Sequence, residues 1–112
     1  MQQITWDDFE KVELRVGKII EVDNLENARK PAYTLKIDFG DEIGIKHSSA
    51  QITDHYSKED LIGKLIVGVV NFPPKRIAGF KSEVLVTGFT DADRKIVLIS
   101  PDFDTPLGAK LM

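Results

Sequence analysis

Residues 71–82 read Asn71-Phe72-Pro73-Pro74-Lys75-Arg76-Ile77-Ala78-Gly79-Phe80-Lys81-Ser82, and they hold three cations, two aromatics and no acid. Lysine and arginine at this density neutralise phosphate, and Phe72 and Phe80 offer faces on which a base can stack or an apolar side chain can rest. Pro73 and Pro74 stiffen the entry. A second cationic pair, Arg29 and Lys30, stands in the polar stretch 24–32 against the single acid Glu26. The two stretches carry +1 and +3, which leaves −7 on the remainder of a chain whose net charge is −3. That overall charge argues against indiscriminate binding of polyanions, while the local segregation favours it at one place. The plain alternative is that surface loops are rich in solvated cations anyway, with Phe72 and Phe80 plugging the end of a barrel.

Other chemistries find less material. His47 and His55 lack a nearby third ligand, and a metal site needs three or four convergent ones. No glycine elbow presents Ser48 or Ser49 as a nucleophile. Eighteen acidic residues supply carboxylate pairs by chance, but no cleft is announced for a working dyad. The absence of cysteine removes a disulfide framework, a thiolate nucleophile and a cysteine zinc site together. No glycine loop is built to cradle phosphate. No catalytic residue, cofactor or metal is therefore expected, and an enzyme is a distant third behind two kinds of binding protein. The start, Met1-Gln2-Gln3-Ile4-Thr5-Trp6-Asp7-Asp8, lacks a signal peptide, and no apolar run approaches the ~20 residues of a membrane span. The chain reads as cytoplasmic.

The elements that must carry these residues follow from periodicity. Thr5 is placed to cap a helical turn through Asp8. A long strand signal runs from Val12 to Val22, with Val12, Leu14, Val16, Ile20 and Val22 on one face and Glu13, Arg15, Glu21 and Asp23 on the other. Gly17 and Lys18 interrupt it, as where a strand bends to serve two sides of a barrel. Leu35, Ile37 and Phe39 alternate with Thr34, Lys36 and Asp38, the pattern of a half-buried antiparallel strand. Gly40-Asp41-Glu42 is turn chemistry, and Ile43 and Ile45 begin a return strand. Ser57, Asp60 and the pair Leu61-Ile62 predict a short helix stopped by Gly63. The apolar runs at 65–70 and 96–99 predict strands covered on both faces, with a further strand over 84–89 and a turn at 90–93. A small helix between the third and fourth strands is the order of an OB-fold. The predicted class is all-β with a small α component: one domain over 1–112, a five-stranded antiparallel Greek-key barrel. A small barrel of another topology is the other arrangement that the pattern permits. In the OB order, 24–32 and 71–82 become the two loops that flank the usual ligand face.

Ile4, Trp6 and Phe9 are large apolar residues on a segment too short to bury them, and the tail around Pro106 and Leu111 lacks core periodicity. Both are available for pairing with a second copy, although Trp6 and Phe9 could instead cap the barrel of a monomer.

The run Asp8-Phe9-Glu10-Lys11-Val12-Glu13-Leu14-Arg15-Val16-Gly17 resembles the opening signature of the tRNA-binding-domain family. Leu61-Ile62-Gly63-Lys64, then Asn71, Pro74-Lys75-Arg76, Gly79 and Ser82, continue the likeness. Pro101, Pro106, Gly108, Ala109, Lys110 and Leu111 complete it over essentially the whole chain. The chain departs from the pattern of many tRNA binders at Ala50, where glycine is usual, and at Glu83-Val84, where methionine is. The resemblance implies an OB-fold, a homodimer joined through both termini, and a non-catalytic role. Within the family it points towards export-related chaperones, so the implied partners are tRNA and unfolded or export-bound polypeptides. The implied binding face comprises Asn71, Lys75, Arg76, Phe80, Lys81 and Ser82 with Ser49, Arg29 and Lys30. A chaperone devoted to peptides alone is the alternative.

Overall fold

The computed structural model describes all of residues 1–112, and its first element follows from a capping box. Thr5 Oγ1 accepts from the Asp8 N–H at 3.1 Å while Asp8 Oδ2 accepts from the Thr5 N–H at 3.2 Å. They open α1 (Trp6–Glu10), none of whose residues is buried. Strand β1 (Leu14–Asn24) is next, followed by β2 (Tyr33–Asp38) and β3 (Ile45–Ala50). Between β2 and β3 a tight turn closes on Gly40 and Gly44, both at positive φ, with the Phe39 N–H on the Gly44 carbonyl at 3.0 Å. Ile43 therefore lies in the turn and not in the strand. Helix α2 (Lys58–Leu61) begins with a second capping box, Ser57 with Asp60, and ends before Gly63 at φ 85°. Neither helix is long and apolar enough to cross a membrane.

Strands β4 (Leu65–Val69) and β7 (Leu85–Val86) complete an antiparallel sheet in the order β3-β2-β1-β4-β7, with a hairpin of β5 (Lys75–Ile77) and β6 (Phe80–Ser82) inserted between them. A last hairpin joins β8 (Gly88–Thr90) to β9 (Ile96–Leu98). The free edge of β3 is met by residues 82–84. The Glu83 N–H donates to the His47 carbonyl at 2.7 Å, and the buried Ser48 hydroxyl donates to the Val84 carbonyl at 2.8 Å. These bonds curl the sheet into a nearly closed five-stranded barrel with its small helix between the third and fourth strands, the predicted OB-type arrangement. Ile19, Leu35, Ile37, Phe39, Leu61 and Ile66 fill it.

Three further expectations are corrected. The core face of β1 is not the even-numbered series throughout. A β-bulge between Ile19 and Glu21 adds one residue, so Ile19 faces the core before it and Val22 after it, while Ile20 is only half-buried. The stretch 96–99 is not covered on both faces, because Val97, opposite Phe89 in the ladder, is exposed. The strand over 84–89 is broken at Thr87, whose N–H and hydroxyl both donate to the Val67 carbonyl.

Residues 108–111 lie along the start of β1. The Gly108 and Leu111 N–H groups donate to Val16 and Leu14 carbonyls at 2.8 Å each, and the Val16 N–H donates to Ala109 O at 3.0 Å. Arg15 adds a bond to the Gly108 carbonyl at 2.9 Å and a contact at 2.8 Å to Glu13, which also holds Lys110 at 3.0 Å. The tail's main chain is thus engaged within the chain, while Leu111 leaves its side chain half in solvent.

Candidate nucleic-acid interface

Residues 71–82 form a β-hairpin and not an open loop. Its turn uses Ala78 and Gly79, at φ 50° and 82°, the left-handed pair that matches the twist of flanking strands. The Arg76 Nη1 donates to the Gly79 carbonyl at 3.2 Å and braces that turn. The register pairs Lys75 with Ser82, Arg76 with Lys81, and Ile77 with Phe80. Cross-strand partners share a face, so the three cations divide. Lys75 lies on the side of Ile77, Phe80 and Ser82, while Arg76 and Lys81 lie on the opposite side.

The hairpin is tied to β3 at several points. Ser82 Oγ accepts from the Ser49 N–H at 3.2 Å, and Phe80 meets the His47 ring edge-on with centroids 6.3 Å apart. Glu83 Oε1 accepts from the His47 N–H at 3.0 Å and stands 3.2 Å from His47 Nδ1. Partial burial pushes the Glu83 carboxyl up, but the His47 hydrogen bonds, with Lys46 nearby, outweigh it and hold the group below the usual glutamate range. At the hairpin's root, Asn71 Oδ1 accepts from the Glu13 N–H at 3.0 Å and its Nδ2 donates to the Lys11 carbonyl at 2.7 Å. Both ends of that amide are committed to the main chain, so Asn71 positions the hairpin.

Two concavities meet at Ser49. The first, about 590 Å³, lies between the 25–32 loop and the hairpin tip; Arg29 and Lys30 line it from one side, Ile77 and Ala78 from the other, and Gln51 is also in its lining. The second, about 440 Å³, is mostly apolar, with Phe72, Ile77, Val84 and Leu85 in its walls and Lys75 and Glu83 among its lining. Arg29, Lys30, Ser49, Lys75 and Ser82 are therefore brought to one surface, with Phe80 beside it against His47. Arg76 and Lys81 stand on the hairpin's other side. Sequence reasoning missed Gln51, Ile77 and His47 as parts of this surface, while it marks Glu83 only as a departure from the family pattern. Only the hairpin register, invisible while 71–82 reads as a loop, places Ile77 and Phe80 together.

His55 sits elsewhere, 2.6 Å from Asp91, whose carboxyl is held below the usual range by the Lys95 N–H first and the His55 ring second. Each histidine thus has a carboxylate neighbour, and nothing gathers either one with further ligands.

The model of the family described as "Putative tRNA binding domain" matches residues 14–110. The methionine–tRNA ligase of Thermococcus kodakarensis is 36% identical over 99% of this chain, and that of Pyrococcus abyssi 39% over 96%. The chain spans 14% of the length of each of these ligases. Among solved structures, the chaperone CsaA of Bacillus anthracis superposes with a TM-score of 0.92 at 50% identity, covering 99% of this chain and all of that one. The CsaA chaperone protein of Picrophilus torridus gives 0.91 at 55% identity, covering 98% and 100%.

Proposed function

Because the chain belongs to the tRNA-binding-domain family, we propose that it is a non-catalytic protein that binds tRNA through the β5–β6 hairpin and the facing 25–32 loop. The observation that carries the reading is the meeting of two cation-bearing segments, distant in sequence, on either side of Ser49. Lys75, Arg76 and Lys81 contact phosphate, and Phe80 is available for a base. Because Arg76 and Lys81 lie on the outer face of the hairpin, the hairpin enters the RNA with cations on both sides. The acidic remainder of the chain repels phosphate and so confines it to this surface. The ligases' catalytic activity is not carried over, since the match takes in only a small part of them.

A second reading has its own support. The apolar concavity around Phe72, Ile77 and Leu85 suits an apolar side chain of an unfolded or export-bound polypeptide, and two of the structures that superpose on the chain are of chaperones. The setting is cytoplasmic, and the working form is a homodimer joined through Ile4, Trp6, Phe9 and the tail around Pro106 and Leu111.

Affinity for tRNA across a salt series tests the first reading. Three phosphate contacts give a log–log slope of about −2 to −3, and about twice that where a dimer engages both sites. Replacing Lys75, Arg76 and Lys81 together with alanine is expected to abolish most binding with the fold intact. Peptide capture by burial of apolar surface should change little with salt. Unchanged tRNA affinity in the folded triple variant would move the site elsewhere and favour the peptide.

A further inference from the structure

On the far side of Ser49 lies a third concavity, of about 740 Å³. Lys30 lines it as well as the cleft at the hairpin tip, and a second cation, Arg94, reaches it from the turn between β8 and β9. The backbone holds that turn firmly. Arg94 is in the left-handed region at φ 64°, with its N–H on the Asp91 carbonyl at 3.0 Å. Asp91 Oδ1 accepts from the Asp93 and Lys95 N–H groups at 2.9 Å each, and Asp91 Oδ2 meets the His55 ring, clipping the turn to the segment before α2. Lys36 and Arg15 are held by Glu21 and Glu13, whereas neither Lys30 nor Arg94 has a carboxylate partner. Between the two cations the walls change character. Leu85 and Ile96 are apolar, while Gln51, Thr53 and Asp54 offer donors and acceptors.

Resting on the RNA-binding reading, we propose that this concavity is a second subsite that takes one unpaired nucleotide. Lys30 and Arg94 draw its phosphate, the base lies against the aliphatic wall of Leu85 and Ile96, and its edge is turned to Gln51, Thr53 and Asp54. A base within a duplex has both faces stacked and its pairing edge occupied, so a recess with polar groups in its wall admits only a splayed one. A carboxylate among those groups favours a base with an exocyclic amine. The volume lies within the range of small-ligand pockets. The hairpin cations, by contrast, stand on a protruding element and suit either paired or unpaired backbone.

The experiment compares a single-stranded oligoribonucleotide with a fully paired RNA hairpin, each titrated against the full chain, its Arg94→Asn and Thr53→Val variants, and the Lys75, Arg76 and Lys81 triple alanine variant. Asparagine tolerates the left-handed backbone, so Arg94→Asn removes the charge without straining the turn; thermal melting confirms folding of each variant. Arg94→Asn is expected to weaken single-strand binding about fivefold or more and to lower its salt slope by about 0.7, with paired-RNA affinity within about twofold. Thr53→Val is expected to weaken single-strand binding with the slope unchanged. Equal losses on both RNAs would show a diffuse charge effect and overturn the subsite, as would no loss from Arg94→Asn while the triple variant abolishes binding. A triple variant that binds both RNAs normally would instead overturn the hairpin reading on which the subsite rests.

Discussion

A Cβ added to Gly17 would stand 2.6 Å from Ile37 Cγ2 and 2.7 Å from Phe39 Cε1, and one added to Gly68 would stand 3.0 Å from Phe39 Cζ. Gly17 on β1 and Gly68 on β4 thus leave a shallow trough in neighbouring strands, and the fully buried Phe39 ring lies in it. Gly17→Ala is expected to destabilise the protein by about 1–3 kcal/mol through overpacking, seen as a lower urea midpoint with an unchanged slope. Removing the ring, Phe39→Ala, costs about 3–5 kcal/mol on the same measurement. The sequence marks Gly17 only as an interruption, because alternation reports which side a residue faces and says nothing of what stands opposite it. Phe39 itself was legible as core from its place after Leu35 and Ile37. Asn71 shows the same limit. Its residue type suited a ligand, but the main-chain partners that occupy its amide lie 58 and 60 residues away in sequence.

The β5–β6 hairpin is the element whose identity was hardest to read. Two three-residue strands give no periodicity to detect, and two prolines followed by cations look like an open loop. Charge and aromatic content still marked the region, since composition survives where register does not. The capped helices α1 and α2 were legible in advance because each announces itself through a local pair, Thr5 with Asp8 and Ser57 with Asp60. The hairpin depends on contacts across the barrel, above all Glu83 with His47. Because the folded Glu83 carboxyl lies below its ordinary value, that tie stabilises the hairpin fully above the ordinary glutamate range and is lost as pH falls through the lowered value. Amide exchange at residues 80–83 is expected to quicken on acidification through that window once corrected for intrinsic rates, and a Glu83→Gln variant should show no such step. Phe80→Ala is expected to weaken RNA binding without altering the salt slope, because stacking releases no counterions. A slope reduced along with the affinity would show that the ring had been orienting the cations.

Across the whole molecule, several large apolar side chains are exposed: Trp6 is 74% exposed, Phe89 69% and Phe103 81%. A contiguous patch of such side chains would be covered by a second copy, the homodimer proposed above. Sedimentation at micromolar concentration is expected to give a species of twice 12.6 kDa, and Ile4→Ser with Trp6→Ser to shift it towards the monomer. A wild-type chain sedimenting only at 12.6 kDa would remove the dimer. The barrel class was legible as a whole because motif order and alternation agreed, whereas the pairing of the tail with β1 was not, since residues 108–111 join it mostly through main-chain bonds, with Lys110 on Glu13 as the side-chain tie. That pairing bears on how the protein emerges from the ribosome. Leu14 and Val16 are made early, yet the groups that satisfy their backbone arrive some 93 residues later, at Gly108 and beyond. At about 5–20 residues per second, the start of the nascent β1 waits roughly 5–20 s for that partner, the interval in which a holding factor or a neighbouring chain has access to its open edge.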